Sequence, residues 1–412
     1  MDLTCRTEDG CSVYTAARGS EVLGYVAIHS TVAGRSCGGL RMLPDVSEGE
    51  ICGLARAMTL KYGLLGLPQG GAKAGVRGDP DAPQPQRRRR LVEFAQAITP
   101  LVRARAFVPC ADMGTDAADI RHVLAAAGVR VGRRQLRANS SGYYTAVSVQ
   151  AGAVQSARHM GLDLRRCTVA IEGFGKVGAP LCELLAEQGA NVVAISTSRG
   201  AIHNPRGLDT ARLVQLAGEV GSRVVETYPQ ADRIDRGALL ELPVDLLCPC
   251  GRGGSISDRN AMRIVARIIC AGANNPVTPE AQDLLAARGI LCLPDFVTNC
   301  GGVLGGTMEF ASIGRRKIAQ FIGRYLGASI AAMLEQSARS GVPARAIADS
   351  IALSRFKTIK RRAEHPNLPG RLFALGLALY GHGLLPSVLT EPLAEGYFRR
   401  LLAPLLKERA QS

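Results

Sequence analysis

The stretch CTVAIEGFGKVGAPLCELLAEQGANVVAIS, residues 167–196, determines the fold of the region around it. The β-branched and apolar residues of 167–171 predict a strand, the pattern of 177–188 predicts a helix, and 191–196 predicts a second strand. Between the first strand and the helix, Gly173, Gly175 and Gly178 have the spacing G-x-G-x-x-G. Gly189 follows the helix at a position where glycine often ends one.

Glycines at this spacing, between a strand and a helix, indicate a dinucleotide-binding turn. They let the backbone approach a pyrophosphate, and the helix N-terminus supplies N–H groups and positive partial charge. The alternative is an ordinary strand–helix turn whose glycines serve packing alone. Further apolar runs at 244–248, 268–271 and 290–293 alternate with helical segments. Together they predict a doubly wound α/β Rossmann domain over residues 138–308.

The rest of the chain divides around this domain. Residues 1–137 mix strand-like runs, such as 21–29, with helical runs at 48–65 and 91–102, which predicts a first α/β domain that holds the substrate. A helix is predicted over 145–160. Residues 309–412 have a helical pattern to the end, and we expect these C-terminal helices to pack back onto the first domain.

The chain has 412 residues and a formal net charge of +15, with a run of arginines at Arg87–Arg90. One explanation is a basic surface for nucleic acid. The other is a set of solvated arginines on helix faces. The arginines are spread over the whole chain without interleaved aromatic residues, which favours the second. We therefore expect no nucleic-acid partner.

The twelve cysteines include no Cys-x-x-Cys pair, and the six histidines are scattered. This pattern favours reduced core thiols over a disulfide framework or a zinc site, so we expect no metal. The polar N-terminus lacks the apolar segment of a signal peptide. The uncharged stretch 372–390 contains glycines and a proline, so a packed element is expected instead of a membrane span. These features predict a cytoplasmic protein.

The stretch LGLPQGGAKAGVRGDP, residues 65–80, places a single lysine, Lys73, among glycines. It is not a Walker A loop, because Ala74 and Gly75 follow the lysine where that motif needs Ser or Thr. Glycine carries an entropic cost, so the cluster needs a physical reason. Close approach of a substrate to the backbone is the reason we expect.

Seven motifs occur in an order that resembles the Glu/Leu/Phe/Val amino-acid dehydrogenases. They are GGLRM (38–42), MTLK (58–61), LPQGGAKAGVRGDP (67–80), VPCADMGTDAADI (108–120), GFGKVG (173–178), GANNP (272–276) and PDFVTNCGGV (294–303). The resemblance covers roughly residues 10–360 and leaves the tail from about 365 to 412 outside it. It implies a homo-oligomer that oxidatively deaminates an L-amino acid, reversibly, to its 2-oxo acid and ammonia with NAD or NADP.

By position in these motifs, the resemblance implies three charged functional residues. Lys73 matches the catalytic lysine, Asp112 the proton-shuttling acid, and Lys61 the lysine that holds the substrate α-carboxylate. The remaining substrate-binding positions that we assign are Cys37, Gly38, Gly39, Met58, Cys110, Asn299, Val303 and Gly306. The cofactor-binding positions are Gly173, Phe174, Gly175, Lys176, Val177, Gly178, Thr197, Ser198, Arg199, Asn274 and Asn299.

Elementary chemistry agrees with these roles. Burial and the nearby charge of Lys61 would lower the pKa of Lys73, which could then activate water and stabilise a developing alkoxide. Two structural alternatives remain open here. Lys61 would then be a surface lysine, and Asp112 would be the N-cap of a helix that starts near Asp116.

Three positions depart from the pattern of the family. Glutamate-specific members have a lysine before the Gly-Gly pair and a serine later in the chain, and both bind the substrate's side-chain carboxylate. This chain has Cys37 and Gly306 there, which favours an apolar or aromatic substrate. The usual acidic residue after the second Rossmann strand is replaced by Thr197. The hydroxyls of Thr197 and Ser198 and the guanidinium of Arg199 could then bind a 2′-phosphate. We therefore expect NADP to be accepted at least as well as NAD, unless the change only weakens an NAD site.

Two classes of function therefore remain. The first is an active amino-acid dehydrogenase. The second is a non-catalytic or regulatory relative that retains nucleotide binding, which the altered pocket and the unmatched tail would explain. Because Lys61, Lys73 and Asp112 are all present, the first is favoured.

Overall fold

The computed structural model describes residues 1–130, 140–368, 371, 375–376, 379–380, 385 and 387–403. Their contacts form two compact units. The first comprises the described residues of Met1–Asn139, Phe310–Ser312 and Asp349–Tyr397, and the second comprises the others. The expected boundary between residues 137 and 138 lies outside the described residues, as does most of the stretch 372–390.

The first unit begins with six strands and four helices. The strands are β1 (Asp2–Glu8), β2 (Cys11–Arg18), β3 (Glu21–Ile28), β4 (Ser36–Leu43), β5 (Gly70–Arg77) and β6 (Val108–Ala111). The helices are α1 (Glu48–Leu65), α2 (Gln84–Ala97), α3 (Thr99–Arg103) and α4 (Ala117–Ala126).

These strands form one mixed sheet in the order β1-β2-β3-β5-β4-β6. The pairs among β1, β2, β3 and β5 are antiparallel, whereas β4 is parallel to both β5 and β6. Leu40, Met42 and Val76 point to one face, where they form a core with Phe94 of α2 and Ile120 of α4. The central strand β5 pairs with β3 along one edge and with β4 along the other.

The other face of β5 packs closely against α1, and glycine permits this contact. A Cβ at Gly71 would collide with the backbone nitrogen of Thr59, and one at Gly75 would lie 2.8 Å from Ile51. The sequence analysis interpreted these glycines as space for a flat substrate. The structure assigns Gly71 and Gly75 to helix–sheet packing instead.

The second unit contains seven strands. They are β7 (Thr168–Glu172), β8 (Asn191–Thr197), β9 (Gly200–His203), β10 (Asp232–Ile234), β11 (Leu246–Pro249), β12 (Ile268–Ile269) and β13 (Leu291–Cys292). The helices of the rest of the chain are α5 (Ser141–His159), α6 (Gly178–Glu187), α7 (Thr210–Val220), α8 (Val224–Thr227), α9 (Arg236–Leu240), α10 (Pro279–Ala287), α11 (Asp295–Thr298), α12 (Gly301–Phe310), α13 (Arg315–Ser340), α14 (Ala344–Glu364) and α15 (Ser387–Leu402).

The second sheet has the order β10-β9-β8-β7-β11-β12-β13. The five strands from β8 to β13 are parallel, and β9 and β10 add an antiparallel edge. The strand order reverses between β7 and β11, and in doubly wound sheets ligands bind beside the carboxyl ends of the strands at such a point. The predicted α/β fold with a Rossmann domain is confirmed.

The C-terminal helices are shared between the two units. Helix α13 belongs to the second, where Gly327 lies beside Gln155 of α5. From Asp349 onward, α14 belongs to the first, as expected: Gly63 of α1 abuts the carbonyl of Ala352 so closely that a Cβ there would collide with it. Arg355 also donates to the Gly63 carbonyl, at 3.3 Å.

The arginine run is held mostly by internal partners. Arg87 pairs with Asp119, Arg89 with Glu93, and Arg90 with Glu21. Three of the four arginines of the run thus have carboxylate partners within the chain. Across the part of the chain that the structure describes, no helix has the length and apolar character needed to cross a membrane.

Candidate active site

Lys73 and Asp112 form an ion pair in the first unit, in which the lysine is buried and the aspartate half-buried. Lys73 lies on β5 and is only 3% exposed, and its Nζ is 2.8 Å from Asp112 Oδ2. Asp112 directly follows β6, where its backbone N–H donates to Thr115 Oγ1 at 3.0 Å. The Thr115 hydroxyl donates in turn to the Leu40 carbonyl of β4, at 2.7 Å. The turn that carries the carboxylate is thus tied to the sheet.

The alternative role of Asp112 as a helix cap is excluded by the geometry. Asp116 is the residue that caps α4, and it forms a reciprocal capping box with Asp119. The Asp112 carboxylate instead faces Lys73. Its other partner is an arginine that the sequence analysis did not single out.

Arg41 links this pair to a second carboxylate. Its Nε lies 3.0 Å from Asp112 Oδ2, and its Nη1 lies 2.8 Å from Glu50 Oε1 on α1. Arg41 is 4% exposed. We call Lys73, Asp112, Arg41 and Glu50 the charged cluster. Arg41 could have been found from its position within GGLRM. It lies two residues after Gly39 and therefore has its side chain on the same face of β4 as Gly39.

The charged cluster shifts the proton affinities of its two central groups. Burial lowers the pKa of Lys73, and Arg41 lowers it further, whereas Asp112 opposes both. The sequence analysis assigned the lowering charge to Lys61, and the structure assigns it to Arg41. For Asp112, burial acts to raise the pKa, but the charges of Lys73 and Arg41 outweigh it and hold that pKa well below its usual range. The site thus pairs a lysine that gives up its proton more easily with a persistent carboxylate.

Glycine beside the charged cluster makes room for it. A Cβ at Gly39 would lie 2.9 Å from Lys73 Nζ and 2.7 Å from Asp112 Cβ. A Cβ at Gly38 would collide with the Ala72 carbonyl of β5. Gly39 therefore leaves space at the reactive groups, whereas Gly38 serves the close pairing of the two strands.

Helix α1 supplies the other predicted lysine. Lys61 is 5% exposed and Met58, one turn before it, is 9% exposed. This burial excludes the alternative of a solvated surface lysine. The next residue, Tyr62, donates from its hydroxyl to the Cys37 carbonyl of β4, at 3.5 Å.

Two thiols lie together on neighbouring strands of the same sheet. Cys37 Sγ of β4 lies 3.5 Å from Cys110 Sγ of β6. Both are free, as are the other ten cysteines. No group of three or more metal-ligating side chains is found among the residues that the structure describes. Neither thiol offers a positive charge to a carboxylate.

Two further residues that the sequence predicts to bind substrate, Val303 and Gly306, lie on α12 in the second unit. Val303 and Gly306 are one turn apart and therefore share a face of the helix. A Cβ at Gly306 would meet no atom of the described residues within 4 Å. The space next to Gly306 is therefore open among the described residues.

The turn from Gly173 to Gly178, the nucleotide turn, is shaped by its glycines. Gly173 has a φ of +90°, and a Cβ there would lie 2.6 Å from the Gly251 nitrogen. A Cβ at Gly178, the first residue of α6, would collide with the Gly173 carbonyl. Gly175 is exposed and its Cβ would meet no described atom within 4 Å, so its backbone is open to a ligand.

The other residues of the nucleotide turn fix its position. Buried Phe174 donates its backbone N–H to the Ser196 carbonyl of β8 at 2.6 Å, and Gly173 N–H donates to Ser196 Oγ at 3.0 Å. Lys176 is exposed, and Val177 is the N-cap of α6 without a side-chain hydrogen bond to the helix. The first-turn N–H groups of α6 thus have no cap from that residue's side chain, which is the arrangement that binds phosphate.

The hairpin between β8 and β9 holds Thr197, Ser198 and Arg199. The Thr197 hydroxyl donates to the Ser222 carbonyl at 2.7 Å and accepts from Arg199 N–H at 3.1 Å. The hydroxyl proton of Thr197 is therefore used in a hydrogen bond within the protein. The expectation that this hydroxyl donates to a phosphate is wrong. Ser198 and Arg199 are exposed, and an Arg233 guanidinium nitrogen lies 3.8 Å from where a Cβ of Gly200 would be.

Asn274 and Asn299 meet beside the carboxyl ends of the parallel strands. Asn299 Nδ2 donates to Asn274 Oδ1 at 3.0 Å and to the Ala273 carbonyl at 2.8 Å. Asn299 is 3% exposed, yet its Oδ1 accepts no hydrogen bond from the described residues. A buried acceptor of this kind requires a partner. The open backbone at Gly175 and this acceptor both fit a bound dinucleotide.

The sequence pattern of the Glutamate/Leucine/Phenylalanine/Valine dehydrogenases matches residues 135–363, and that of the dimerisation domain of the same family matches residues 12–127. A glutamate dehydrogenase of Thermotoga maritima is 37% identical over 304 residues, which are 70% of this chain and 72% of that protein. The chain belongs to this family.

Two solved structures show the same fold at lower identity. The hetero-hexameric glutamate dehydrogenase of Thermus thermophilus, in a form titled Leu bound, is 24% identical with a TM-score of 0.69 and covers 87% of this chain and 89% of its own. The L-tryptophan dehydrogenase of Nostoc punctiforme is also 24% identical, with a TM-score of 0.58, over 85% of this chain and 97% of its own.

Membership of the family establishes the class of reaction. The chain is an NAD(P)-dependent amino-acid dehydrogenase, which acts on the CH–NH2 group of its substrate. This supports the enzyme over the non-catalytic relative. The cofactor of this enzyme is a nicotinamide dinucleotide, and its substrate is an amino acid.

Proposed function

We propose that the enzyme deaminates an L-amino acid with an apolar or aromatic side chain, and not glutamate, to the 2-oxo acid and ammonia. The observation that carries this proposal is Cys37, which stands where the resemblance places a lysine in glutamate-specific members and whose Sγ lies 3.5 Å from Cys110 Sγ, not beside a cation. A glutamate side chain would bury its carboxylate there without a cation, which is costly. The curated relatives that it matches are named glutamate dehydrogenases, so the proposal depends on this local difference.

The charged residues of the first unit have separate roles in the proposed reaction. Buried Lys61 binds the substrate α-carboxylate as a point charge. A nicotinamide dinucleotide held at the nucleotide turn would supply the acceptor for a hydride from the substrate Cα. Lys73, whose pKa is lowered, takes a proton from the water that attacks the resulting iminium carbon and then stabilises the alkoxide.

The charged cluster also handles the proton on nitrogen. Asp112 remains ionised because Lys73 and Arg41 lower its pKa, so it can accept a proton from the substrate ammonium and return it to the leaving ammonia. Arg41 does not take part in this transfer. It fixes the carboxylate between β4 and α1 through Asp112 and Glu50.

The test of the substrate is a comparison of kcat/KM for glutamate, leucine, valine and phenylalanine. We expect kcat/KM to be higher for an apolar substrate than for glutamate, and glutamate as the best of the four would refute the proposal.

Variants of the pocket test the same proposal. Cys37→Lys should raise the relative activity on glutamate, whereas Cys5→Lys, a change on exposed β1, should not. Gly306→Val should shift preference towards smaller side chains in a graded way, because one methylene is worth only about 1–3 kcal/mol.

We further propose that NADP is accepted at least as well as NAD. Exposed Ser198 and Arg199, with Arg233 nearby, offer donors and positive charge at the hairpin that follows β8. An arginine can hold a 2′-phosphate through two parallel hydrogen bonds. Thr197 contributes by the absence of a carboxylate and not by its hydroxyl.

The cofactor proposal is tested by kcat/KM for both cofactors in the wild type and in the double variant Thr197→Asp with Arg199→Ala. The ratio of NADP to NAD should fall in the double variant and stay constant in the control Arg206→Ala, which changes an exposed arginine after β9. A strong wild-type preference for NAD that the double variant leaves intact would show that this hairpin does not contact the ribose.

We also propose that the chain forms a homo-oligomer. The family domain matched by residues 12–127 is described as a dimerisation domain, and the Thermus neighbour is titled hetero-hexameric. The seven-residue strand β1 lies at an edge of the first sheet and is mostly exposed, and such an edge is suited to pairing with another chain. Light scattering of the purified protein should give a mass above 43.5 kDa; a monomer at assay concentration would contradict it.

A further inference from the structure

Cys37 and Cys110 stand together although 73 positions separate them in sequence. Gly39 of β4 pairs with Cys110 of β6, and Cys37 pairs with Val108. The two cysteines are thus two positions apart along parallel neighbours and point to the same face. That face also holds Gly39, whose missing side chain makes room for Lys73.

A second thiol pair in the first unit provides a contrast. Cys11 and Cys52 are 1% and 5% exposed and lie in an apolar core, where burial raises the pKa of Cys11 and raises that of Cys52 to about 12. Thiols in such surroundings are inert. Cys110 is exposed and Cys37 is partly exposed.

The surroundings of Cys37 favour its thiolate. The hydrogen bond with Cys110 lowers the pKa of Cys37, and Tyr62 and the charge of Lys73 lower it further against the effect of burial. The same hydrogen bond raises the pKa of Cys110. Cys37 is therefore the thiol that reacts first, and Cys110 is held in contact with it as the resolving thiol.

We propose that Cys37 and Cys110 form a reversible oxidation site for hydroperoxides and that their disulfide inactivates the enzyme. The Cys37 thiolate attacks one peroxide oxygen, the O–O bond breaks, and that oxygen stays on Cys37 as a sulfenic acid. The other oxygen of hydrogen peroxide leaves as hydroxide and takes up a proton from the solvent to become water. The Cys110 thiol then attacks that sulfur, the S–S bond forms, and a second water leaves. The two sulfurs lose two electrons, and the peroxide gains them.

The fold allows the small movement that bond formation needs. The sulfurs are 3.5 Å apart and must reach about 2.05 Å. Strand β6 has four residues and lies at the edge of its sheet, where β4 is its one partner among the strands that the structure describes. Asp112 follows β6 directly, so displacement of the strand also moves the carboxylate from Lys73. Misplacement by 1 Å can cost about 10²-fold in rate, and we expect a loss of about 10- to 100-fold.

The experiment treats the purified full-length enzyme with hydrogen peroxide and then blocks free thiols with N-ethylmaleimide. Activity is measured before and after dithiothreitol, and peptide mass spectrometry identifies linked cysteines. We expect a Cys37–Cys110 cross-link, a parallel loss of activity, and recovery on reduction. Cys11 and Cys52 should remain unlinked.

Variants connect the cross-link to the effect. Cys37→Ser and Cys110→Ser, each compared with its own untreated activity, should lose the dithiothreitol-reversible component, and the exposed-thiol control Cys5→Ser should keep it. A reversible loss that persists in both variants, a loss without the cross-link, or a cross-link without loss would each overturn the proposal. The location of the pair in a side-chain pocket rests on the proposed function, but the cross-link is detected by mass alone. Glutamate as the best substrate would therefore refute the proposed function and leave this result standing.

Discussion

The charged cluster and the nucleotide turn achieve order in opposite ways. In the first, Lys73, Asp112 and Arg41 depend on one another, since the two cations are buried and the half-buried Asp112 carboxylate lies within 3.0 Å of both. In the second, Gly173 and Gly178 are fixed by contacts of the backbone, and charge has little part. A site made of buried charges is sensitive to the loss of any partner. A site made of backbone is sensitive to added atoms.

The largest effect on activity is expected when the lysine of the charged cluster is removed. Lys73→Ala should lower kcat by about 10²–10³-fold, because removal of one preorganised group that stabilises the transition state typically costs about 2.7–4 kcal/mol. The measurement is kcat for reductive amination, with circular dichroism to verify that the fold persists. Wild-type turnover by Lys73→Ala would end the assignment of this lysine.

Removal of Arg41 tests whether the charged cluster acts as a unit. Arg41→Met should lower kcat by roughly 10-fold or more, since Asp112 loses a partner within hydrogen-bond distance. Arg41 lowers the pKa of Lys73, so its loss raises that pKa, and a higher pH is needed to deprotonate the lysine. The acid limb of the kcat/KM profile should move to higher pH. Arg41→Lys, which retains the charge, should move it less.

A matched arginine serves as the control for this prediction. Arg77 ends β5 and donates to the Val46 carbonyl and to the Tyr25 hydroxyl, away from Asp112. Arg77→Met should leave the acid limb in place. An equal shift in both variants would show that net charge, and not the contact with Asp112, sets the proton affinity of Lys73.

In the nucleotide turn, two glycines should respond differently to the same added methyl group. Gly175→Ala should leave the melting temperature unchanged and weaken cofactor binding by about tenfold, or 1.4 kcal/mol, because the methyl group enters the space in front of the backbone. Gly173→Ala should instead lower the melting temperature, because of its positive φ and the contact with Gly251. Calorimetry and cofactor titration separate the two; equal melting temperatures would refute the distinction.

The smallest effect concerns stability in acid. The folded-state pKa of Asp112 is depressed, so its contribution to stability is present above the unfolded-state pKa of about 3.9 and is lost as pH falls below it. Asp112→Asn should therefore be less stable than the wild type near neutral pH, and its stability should fall less steeply between about pH 4 and pH 2. Urea unfolding at several pH values measures this, and parallel curves would contradict it.

The sequence predicts local patterns better than contacts between distant segments. Strand β7, the nucleotide turn and α6 follow from one short stretch, and α1 was placed at 48–65 because its apolar period is long and regular. Strand β5 was not recognised, since its glycines have low strand propensity and their reason lies in α1. The motifs identified Lys73 and Asp112, but not the contact between them.

Other features of the site depend on atoms that no pattern reveals. Cys37 and Cys110 were each assigned to a pocket, and only the register of β4 and β6 brings their sulfurs together. The hydroxyl of Thr197 was interpreted as free for a ligand, but a carbonyl 25 positions later receives its proton. Arg41 lay inside a quoted motif and gave no periodic signal of its own.

Gly71 of β5 and Gly306 of α12 differ in how well they tolerate substitution. Any side chain at Gly71 would push α1, and with it Lys61, away from the sheet, so a lineage that keeps this chemistry has little freedom there. Gly306 accepts a side chain without contact with any described atom within 4 Å. Substitution is thus restricted at Gly71, where helix and sheet pack, and tolerated at Gly306, where we propose that the substrate's side chain binds. Single substitutions at such a position can therefore change which substrate is preferred, while the catalytic residues stay the same.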